Sequence, residues 1–389
     1  MSEWKDYKVE EFAEVIGGGT PKTDIPEYWN GTIPWITPRD LTNFKNKYIK
    51  HGERFITLKG LEKSNAKILP SGTVLLSSRA PIGYLAIAEN ELTTNQGFQN
   101  LIPKTNVDSE FLYYLLKNNV DYLISQGSGT TFAELSKSTL KKIKFKLPPL
   151  PEQKAIAEVL SSLDDKIDLL HRQNETLEQL AETLFRQWFL EEKCNGSLNE
   201  YIKVQNGYAF KSKDFKVNGY AGVIKIKNIS MGSIDITNHD CVDESVVKNI
   251  DKKFKIKSGD FLIAMTGAEI GKIGIVEITD KEIYINQRVG KLDAKVQYGD
   301  LIGYFALKST EGQEHIMNVC AGSAQENISA AGIEEMSFSS YNEQKVNSLG
   351  IQIQPLYQMI IFNKGQIRTL TQIRDTQMSK LMSGDVFLN

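Results

Sequence analysis

The chain has 389 residues, 41% of them hydrophobic and 24% charged, with a formal net charge of −2. This length favours two globular domains with connecting elements over a single core. No run approaches the roughly 18 apolar residues that span a bilayer. The opening stretch MSEWKDYKVEEF also lacks the basic and apolar segments of a signal peptide. We therefore expect a cytoplasmic protein.

The small net charge hides an uneven distribution along the chain. Residues 1–147 have a net charge of +3, residues 148–194 of −5, residues 195–345 of −2 and residues 346–389 of +2. The excess of acidic residues therefore falls in one segment that we expect to be helical. This weakens the objection that the overall charge raises against DNA binding, but it is not positive evidence for DNA binding.

Residues 1–147 are predicted to form the first globular unit. Its short strands are rich in Val, Ile, Thr and aromatic residues and are punctuated by glycine, as in LPSGTVLLSSRAPIGYLAIAE (69–89). An Asn95-Gln96 pair, a helix-like run DSEFLYYLLKN and a Gly/Ser/Thr loop follow. The pattern is typical of a mixed, largely β domain with a few helices.

Residues 148–194 are predicted to form a long helix. Apolar residues recur at steps of three and four, with Asn174 in the one polar position, over about 40 residues. Such a seam is typical of a coiled coil, in which a buried Asn fixes the register. An ordinary buried amphipathic helix remains the alternative. The other seam positions are Ile156, Leu160, Leu163, Ile167, Leu170, Leu177, Ala181, Leu184 and Trp188.

Residues 195–344 repeat the first unit feature by feature. IKSGDFLIAMTGAEIGKIGIVE (256–277) matches residues 69–89, and Asn286-Gln287 matches Asn95-Gln96. A helix-like run, a small-residue loop and NEQK follow in the same order, with NEQK matching PEQK of the first copy. The order of at least five features is kept, and the period is too long for a solenoid repeat. We infer a duplicated unit of domain plus helix.

Residues 345–389 are predicted to form the second helix, with Pro355 at or near its first turn because an interior proline removes a hydrogen bond. Packed antiparallel on the first helix, it would separate two similar domains related by an approximate two-fold axis. The helical stretches would be roughly 60 Å and 43 Å long. We therefore predict an α+β fold of two β-rich domains and a helical spacer. The second seam contains Ile360, Ile367, Leu370, Ile373 and Leu381.

No catalytic constellation can be assembled from the sequence. GAEIGK (267–272) is one residue short of a phosphate-binding loop, and VIGGGTP (15–21) does not lead from a strand into a helix. The four histidines have no ligand-like spacing, and three scattered cysteines indicate neither disulfides nor a zinc cluster. We expect a binding protein without catalytic residues or a metal site.

The layout resembles the specificity subunit of type I restriction-modification systems. LPPLPEQKAIAEVLSSLDDKIDLLHRQNETLEQLAETLFRQWF (147–189) is similar to the central conserved region of that family, and QIRTLTQIRDTQMSKLMSGDV (366–386) to its C-terminal region. GGGTPKTDIPEYWNGTIPWITPRDL (17–41) looks like the start of a target-recognition domain. The second copy departs from the pattern, because SSYNEQKVNSLGIQIQP replaces the usual Pro-Leu-rich lead-in.

This resemblance implies a non-catalytic subunit in a host-defence system based on DNA methylation. Each domain would read one half of a split, asymmetric DNA target, and the helices would fix the gap between the halves. The helices would also bind two methyltransferase subunits, through which the restriction subunits join. S-adenosylmethionine, ATP and Mg²⁺ would be bound by those partners and not by this chain.

Base edges are read by Arg, Lys, Asn or Gln, and phosphates are held by Ser, Thr, Lys and backbone groups. The predicted DNA contacts in the first copy are Lys22, Thr23, Arg39, Ser78, Arg79, Gln96, Gln99, Thr130 and Thr131. Those in the second copy are Tyr208, Lys211, Lys225, Lys227, Asn228, Thr266, Gln287, Arg288, Ser323 and Gln325. Trp29 and Trp35 are expected in the core and not in base stacking.

Two other functions remain open from the sequence. A two-headed adaptor for proteins or glycans could use the same coiled coil for assembly only. A self-contained restriction enzyme would need residues for metal-dependent cleavage, and the sequence offers none that we can assign.

Overall fold

The computed structural model describes residues 4–42, 44, 46–129, 133–189, 194–321 and 327–384. The chain divides into two compact units, and each draws on both long helices. Unit 1 comprises Met1–Leu169 and Thr369–Asn389, and unit 2 comprises Leu170–Arg368.

Unit 1 contains three sheets and a set of short helices. Its strands are β1 (Lys5–Lys8), β2 (Ala13–Gly17), β3 (Trp29–Ile36), β4 (Tyr48–Ile49), β5 (Arg54–Ile56), β6 (Val74–Ser78), β7 (Ile82–Ala88), β8 (Thr93–Thr94), β9 (Phe98–Pro103) and β10 (Lys144–Leu147). Its helices are α1 (Val9–Phe12), α2 (Leu58–Glu62), α3 (Ser109–Asn118), α4 (Val120–Ser125), α5 (Lys137–Lys142) and the first half of α6 (Leu150–Phe189). The sheet orders are β2-β9-β6-β7-β4, β5-β3-β8 and β1-β10.

Unit 2 has the same kinds of elements. Its strands are β11 (Gly196–Ser197), β12 (Ile202–Asn206), β13 (Ala221–Ile224), β14 (Ile229–Ser230), β15 (Gly232–Ile234), β16 (Asp240–Val242), β17 (Phe261–Ala264), β18 (Ile273–Ile275), β19 (Ile283–Ile285), β20 (Val289–Ala294) and β21 (Ser337–Phe338). Its helices are α7 (Glu244–Val247), α8 (Gly299–Lys308), α9 (Thr310–Ala321), α10 (Ala330–Glu334) and most of α11 (Glu343–Ser383). The sheet orders are β12-β20-β17-β18-β15-β14, β16-β13-β19 and β11-β21.

The sheets of the two units correspond strand by strand. The order β2-β9-β6-β7-β4 matches β12-β20-β17-β18-β15, and β14 is an addition at the edge. In both units the last matched pair is parallel, β4 with β7 and β15 with β18, while the other pairs are antiparallel. The small sheets β5-β3-β8 and β16-β13-β19 also agree in order and direction. The predicted α+β class with two similar domains is correct.

Each core forms where a sheet packs against helices. In unit 1, Phe111 and Tyr114 of α3 are fully buried with Leu76 of β6 and with Ile156 and Leu160 of α6. Each such side chain contributes roughly 1.5–3 kcal/mol to folding when it is removed from water. Because α6 residues belong to this cluster, the long helix is part of the domain core and not a free rod.

Within each unit, α6 and α11 pack antiparallel. In unit 1, Arg374 Nη1 donates to Asp164 Oδ1 at 2.7 Å, and Leu381 lies in the same cluster as Ile156. In unit 2, Asn363 Nδ2 donates to the Oδ1 of Asn174 at 2.9 Å, and both side chains are buried. The polar position predicted at Asn174 therefore has a partner of its own kind, which satisfies part of the polar surface that burial removes from water.

The predicted seam agrees with the structure in its first part and drifts later. Buried positions are Ile156, Leu160, Ile167, Leu170, Asn174, Ile360 and Leu381. Half-buried positions are Leu163, Leu177, Leu184, Trp188, Ile367 and Leu370. Ile373 is 43% exposed and does not belong to the buried stripe. The predicted seam residue Ala181 is buried as well, but beyond it the buried residues of α6 are Phe185 and Phe189, because this part of the helix turns its apolar face towards the core of unit 2.

The prediction that Pro355 starts the second helix is wrong. Helix α11 begins at Glu343 and contains Pro355 in its interior. Proline leaves the carbonyl group of Ile351 without its helical donor. Since Pro355 and the side chain of Ile351 are both exposed, water can reach this face of the helix. At 1.5 Å per residue, its 41 residues span about 60 Å, instead of the roughly 43 Å expected.

Candidate nucleic-acid interface

A capped turn follows β3 in unit 1 and presents Arg39. Residues Pro38–Leu41 form one turn of 3-10 helix. Asp40 accepts hydrogen bonds from the backbone N and the Oγ1 of Thr37, both at 2.7 Å, and Thr37 O accepts one from Asp40 N at 3.0 Å. This reciprocal capping holds the turn in one conformation. It leaves Arg39 exposed between the two capping residues.

The Asn95–Gly97 turn lies beside it. Asn95 N donates to the carbonyl of Ile36 at 2.8 Å, and the carbonyl of Gly97 accepts bonds from Ser78 N at 2.7 Å and Ser78 Oγ at 3.1 Å. These contacts fix the turn between the ends of β3 and β6. Gln96 is exposed at its tip and pairs with Thr20. Arg39, Arg79 and Gln96 are thereby brought to one edge of the domain.

Two tryptophans tie the glycine-rich loop of residues 17–22 to this edge. Trp35 Nε1 donates to the Gly19 carbonyl at 2.9 Å, and Trp29 Nε1 to the Lys22 carbonyl at 3.1 Å. A side chain at position 18 would place its Cβ 1.9 Å from the carbonyl oxygen of Asn95, so the close approach requires glycine. Both tryptophans are buried, as the sequence predicted.

The sequence-derived residues of unit 1 differ in their exposure. Lys22, Thr23, Arg39 and Gln96 are exposed and Arg79 is half-buried. Ser78 is fully buried and bonded to the Gly97 carbonyl, and Gln99 is 8% exposed with its Oε1 buried and without a protein partner among the described residues. We therefore drop Ser78 from the candidate contacts, because its hydroxyl is used inside the protein. Thr130 and Thr131 lie outside the described residues.

Unit 2 builds the same edge from different side chains. Lys225 N donates to Asn228 Oδ1 at 3.0 Å, and Asn228 N to the Lys225 carbonyl at 2.9 Å, so residues Ile226–Asn228 form an equivalent capped turn. Asn286 N donates to Ile224 O at 3.0 Å, as Asn95 N does to Ile36 O. Gln287 N donates to the Tyr208 carbonyl at 2.9 Å, which attaches the loop after β12.

The predicted contacts of unit 2 also fall into two groups. Tyr208, Lys211, Lys227, Gln287 and Arg288 are exposed, and Lys225 and Thr266 are half-buried. Asn228 is 4% exposed, and its Nδ2 donates to the carbonyl of Asn238 at 2.7 Å. It caps the turn and is dropped from the candidate contacts for that reason. Ser323 and Gln325 lie outside the described residues.

Two charged residues that the sequence analysis missed lie next to these turns. Arg54 of β5 is exposed, and its Cζ is 3.6 Å from the ring centroid of Trp29. Asp240 of β16 is 2.8 Å from Lys225 Nζ and 3.4 Å from Lys227 Nζ. Hydrogen bonding to Lys225 is the main cause that lowers the pKa of Asp240. Arg54 begins the short strand RFI (54–56), and no pattern in the sequence distinguishes it from other surface cations.

Neither a metal centre nor a membrane-spanning helix is found in the part of the chain that the structure describes. In these ranges, no three His, Cys, Asp or Glu side chains are grouped so that they could hold an ion. No described helix is both long and apolar enough to cross a bilayer.

The chain is similar to known proteins over its whole length. A family model described as the type I restriction modification DNA specificity domain matches residues 1–179 and 191–371. The MjaIX specificity subunit of a type I restriction enzyme from Methanocaldococcus jannaschii is 36% identical, and the alignment covers 99% of this chain and 94% of that protein. The MjaVIII specificity subunit of the same organism is 23% identical, with 99% and 93% covered.

A solved structure shares the fold. The S subunit of a type I restriction-modification system from M. genitalium superimposes with a TM-score of 0.64 at 18% sequence identity, covering 100% of this chain and 97% of that one. Both specificity-domain matches fall on the two corresponding sets of sheets described above. The chain therefore belongs to the family of type I restriction-modification specificity subunits and carries two copies of its DNA specificity domain.

Proposed function

We propose that this chain is the DNA sequence-specificity subunit of a type I restriction-modification complex. Each unit reads one half of a bipartite DNA target through the edge built from its capped turn and its Asn-Gln turn. The observation that carries this proposal is that both copies hold these turns by the same backbone contacts but present different side chains. The two half-sites therefore differ in sequence, and the target is asymmetric.

The chemistry of these edges suits DNA. Exposed Arg, Lys and Gln side chains supply donors for phosphates and for base edges in the major groove. The backbone of each turn is fixed by internal hydrogen bonds, so little ordering is needed when DNA binds. Arg39 and Gln96 in unit 1, and Lys227 and Gln287 in unit 2, are the leading candidates.

The long helices α6 and α11 set the gap between the half-sites and bind two methyltransferase subunits, through which the restriction subunits join. This chain itself is not catalytic. S-adenosylmethionine, ATP and Mg²⁺ act on those partner subunits. Exposed apolar side chains on the helices, such as Leu180 (47%), Phe362 (52%) and Ile373 (43%), support the docking role because they have unused apolar surface.

If each unit reads its own half-site, substitutions of Arg79 and Arg288 should affect different half-sites. Replacing Arg79 with alanine is expected to weaken recognition of one half-site, and replacing Arg288 that of the other, by about tenfold each. Methylation of DNA libraries with randomised half-sites by the assembled complex would measure both. Lys146→Ala, an exposed change on β10, whose sheet with β1 is separate from the two sheets that form the edge, is the control. Equal loss at both half-sites for either change would contradict the assignment.

The helical spacer predicts a change of gap without a change of half-sites. Inserting four residues into each long helix adds about one turn, or roughly 6 Å, to the spacer. At about 3.4 Å per base pair, the preferred gap should grow by about two base pairs. Methylome sequencing of cells that express the operon would show the new motif. An unchanged gap, with normal assembly, would refute a spacer role.

A two-headed adaptor for proteins or glycans remains the second candidate function, with α6 and α11 used for assembly only. DNA affinity that falls steeply with salt supports the DNA-reading proposal, because binding then releases counterions from phosphates. A lack of salt-dependent DNA binding by the full chain with its neighbouring gene products would favour the adaptor.

A further inference from the structure

Opposite charges occupy the same position in the two copies. In unit 1, Arg54 of β5 lies opposite Trp35 of β3, and in unit 2, Asp240 of β16 lies opposite Val223 of β13. The next residues along these central strands, Ile36 and Ile224, accept the equivalent bonds from Asn95 and Asn286. The correspondence therefore rests on backbone pairing, and it places each charge beside the capped turn of its unit.

The two arginines beside the capped turn of unit 1, Arg39 and Arg54, have no ion-pair partner among the described residues, and Arg54 is pre-oriented. The guanidinium carbon of Arg54 is 3.6 Å from the ring centroid of Trp29 and 5.3 Å from that of Trp35. Neither Arg54 nor Arg39 forms an ion pair with any residue in the described ranges. Stacking on an aromatic ring restricts the guanidinium to one plane, while its N–H groups remain directed outwards.

The two lysines of the capped turn in unit 2, Lys225 and Lys227, are both paired with Asp240. Asp240 lies 2.8 Å from Lys225 Nζ and 3.4 Å from Lys227 Nζ, and Lys225 Nζ also lies 3.3 Å from the ring centroid of Phe215. Lys225 and Lys227 correspond to Thr37 and Arg39 of the first turn. A DNA phosphate that approaches Lys227 would meet the carboxylate of Asp240, whereas one that approaches Arg39 would meet a second cation in Arg54.

We propose that Arg54 contacts a DNA backbone phosphate in unit 1, and that Asp240 opposes phosphate binding at the equivalent place in unit 2. The inference rests on the proposed DNA-reading function and adds an asymmetry to it. At this one strand position the first copy thus presents a cation and the second a carboxylate, while the cap residue of the first turn, Asp40, is charged and that of the second, Asn228, is not.

The salt dependence of DNA binding tests whether Arg54 and Asp240 act on DNA phosphates. Each phosphate that a protein neutralises contributes about 0.9 to the slope of log affinity against log salt. Removal of the Arg54 charge should reduce the slope by about 0.9 and lower the affinity at fixed salt by about tenfold. Removal of the Asp240 charge should raise the slope by about 0.9 or more, because Lys225 and Lys227 become available to phosphates.

The test uses the full chain co-purified with its partner subunits, and a fluorescent 40-base-pair duplex of random sequence as probe. The variants are Arg54→Ala, Arg54→Gln as a second neutral form that keeps the side-chain length, and Asp240→Asn. Matched controls are Lys146→Ala, on β10 outside the two sheets that form the edge, and Asp243→Asn, since Asp243 is three residues from Asp240 but pairs with Lys216 and not with Lys225 or Lys227. Melting temperatures show that each variant is folded.

The expected result is a smaller slope for both Arg54 variants and a larger one for Asp240→Asn, with the controls unchanged. The inference is overturned if the Arg54 variants behave like Lys146→Ala, or if Asp240→Asn behaves like Asp243→Asn. A wild-type complex that binds the duplex without salt dependence would instead refute the proposed function itself. The two failures are thus distinguishable.

Discussion

Replacing Arg374 with alanine is expected to destabilise unit 1 by about 3 kcal/mol. Arg374 Nη1 and the hydroxyl of Tyr114 both donate to the carboxylate of Asp164, at 2.7 Å and 2.6 Å. Asp164 is 7% exposed. Without Arg374, a buried carboxylate loses its closest cation, and the cost of its desolvation is no longer offset. Urea unfolding followed by circular dichroism measures the change.

The same variant should change the acid sensitivity of unit 1. Burial alone would raise the pKa of Asp164, but Lys117, Arg374 and Tyr114 outweigh it and lower the pKa below its usual value. The stability that this group contributes is therefore present above the pKa of the unfolded chain, about 3.9, and is lost as pH falls through the lower folded value. In Arg374→Ala the pKa of Asp164 is less depressed, so the stability that is lost on acidification should be smaller and its loss should end at a higher pH. Asp375→Asn, which changes an exposed partner of Arg374, is the control and should cost less than about 1 kcal/mol.

Replacing Phe185 with alanine is expected to destabilise unit 2 by about 3–5 kcal/mol. Its ring is 5.3 Å from Phe305 and 5.5 Å from Phe189 between centroids, and 2% of the residue is exposed. The substitution leaves a cavity among rings that come from α6 and α8, and these rings cannot all move to fill it.

Leu180→Ala on the same helix is the matched control for Phe185→Ala. Leu180 is 47% exposed, so its truncation should change the free energy of unfolding by less than about 0.5 kcal/mol. A calorimetric scan of both variants gives the comparison. Equal effects would mean that α6 does not belong to the core of unit 2.

The duplication was predictable from the sequence because turn residues and apolar strands recur in order. The register of α6 was predictable only in part. Apolar residues spaced three and four apart mark the face that one helix packs against another. The residues buried between Ile156 and Asn174 follow this spacing. Beyond Ala181 the buried face is set by the domain core. The sequence could not show this, because Leu184 and Trp188 of the predicted seam are as apolar as Phe185 and Phe189, which the structure buries.

Other features depend on contacts that are distant in the chain. Ser78 and Asn228 are of residue types that often contact DNA. In this protein their side chains instead donate hydrogen bonds to the backbone carbonyls of Gly97 and Asn238. The equivalence of Arg54 and Asp240 could not be predicted from the sequence, because it depends on which residue each one faces on the neighbouring strand. Pro355 was misplaced because the rule that proline starts or ends a helix considers only the local backbone. At an exposed position, water can replace the N–H donor that proline lacks.

The division of both long helices between the units has a consequence for biosynthesis. Met378, Leu381 and Met382 complete the core around Ile156 and Leu160 of unit 1, yet the ribosome adds them only after the whole of unit 2. A nascent chain that has just finished the first copy therefore exposes part of its interior to solvent or to chaperones. Folding of the first copy ends last, when the closing turns of α11 emerge from the exit tunnel.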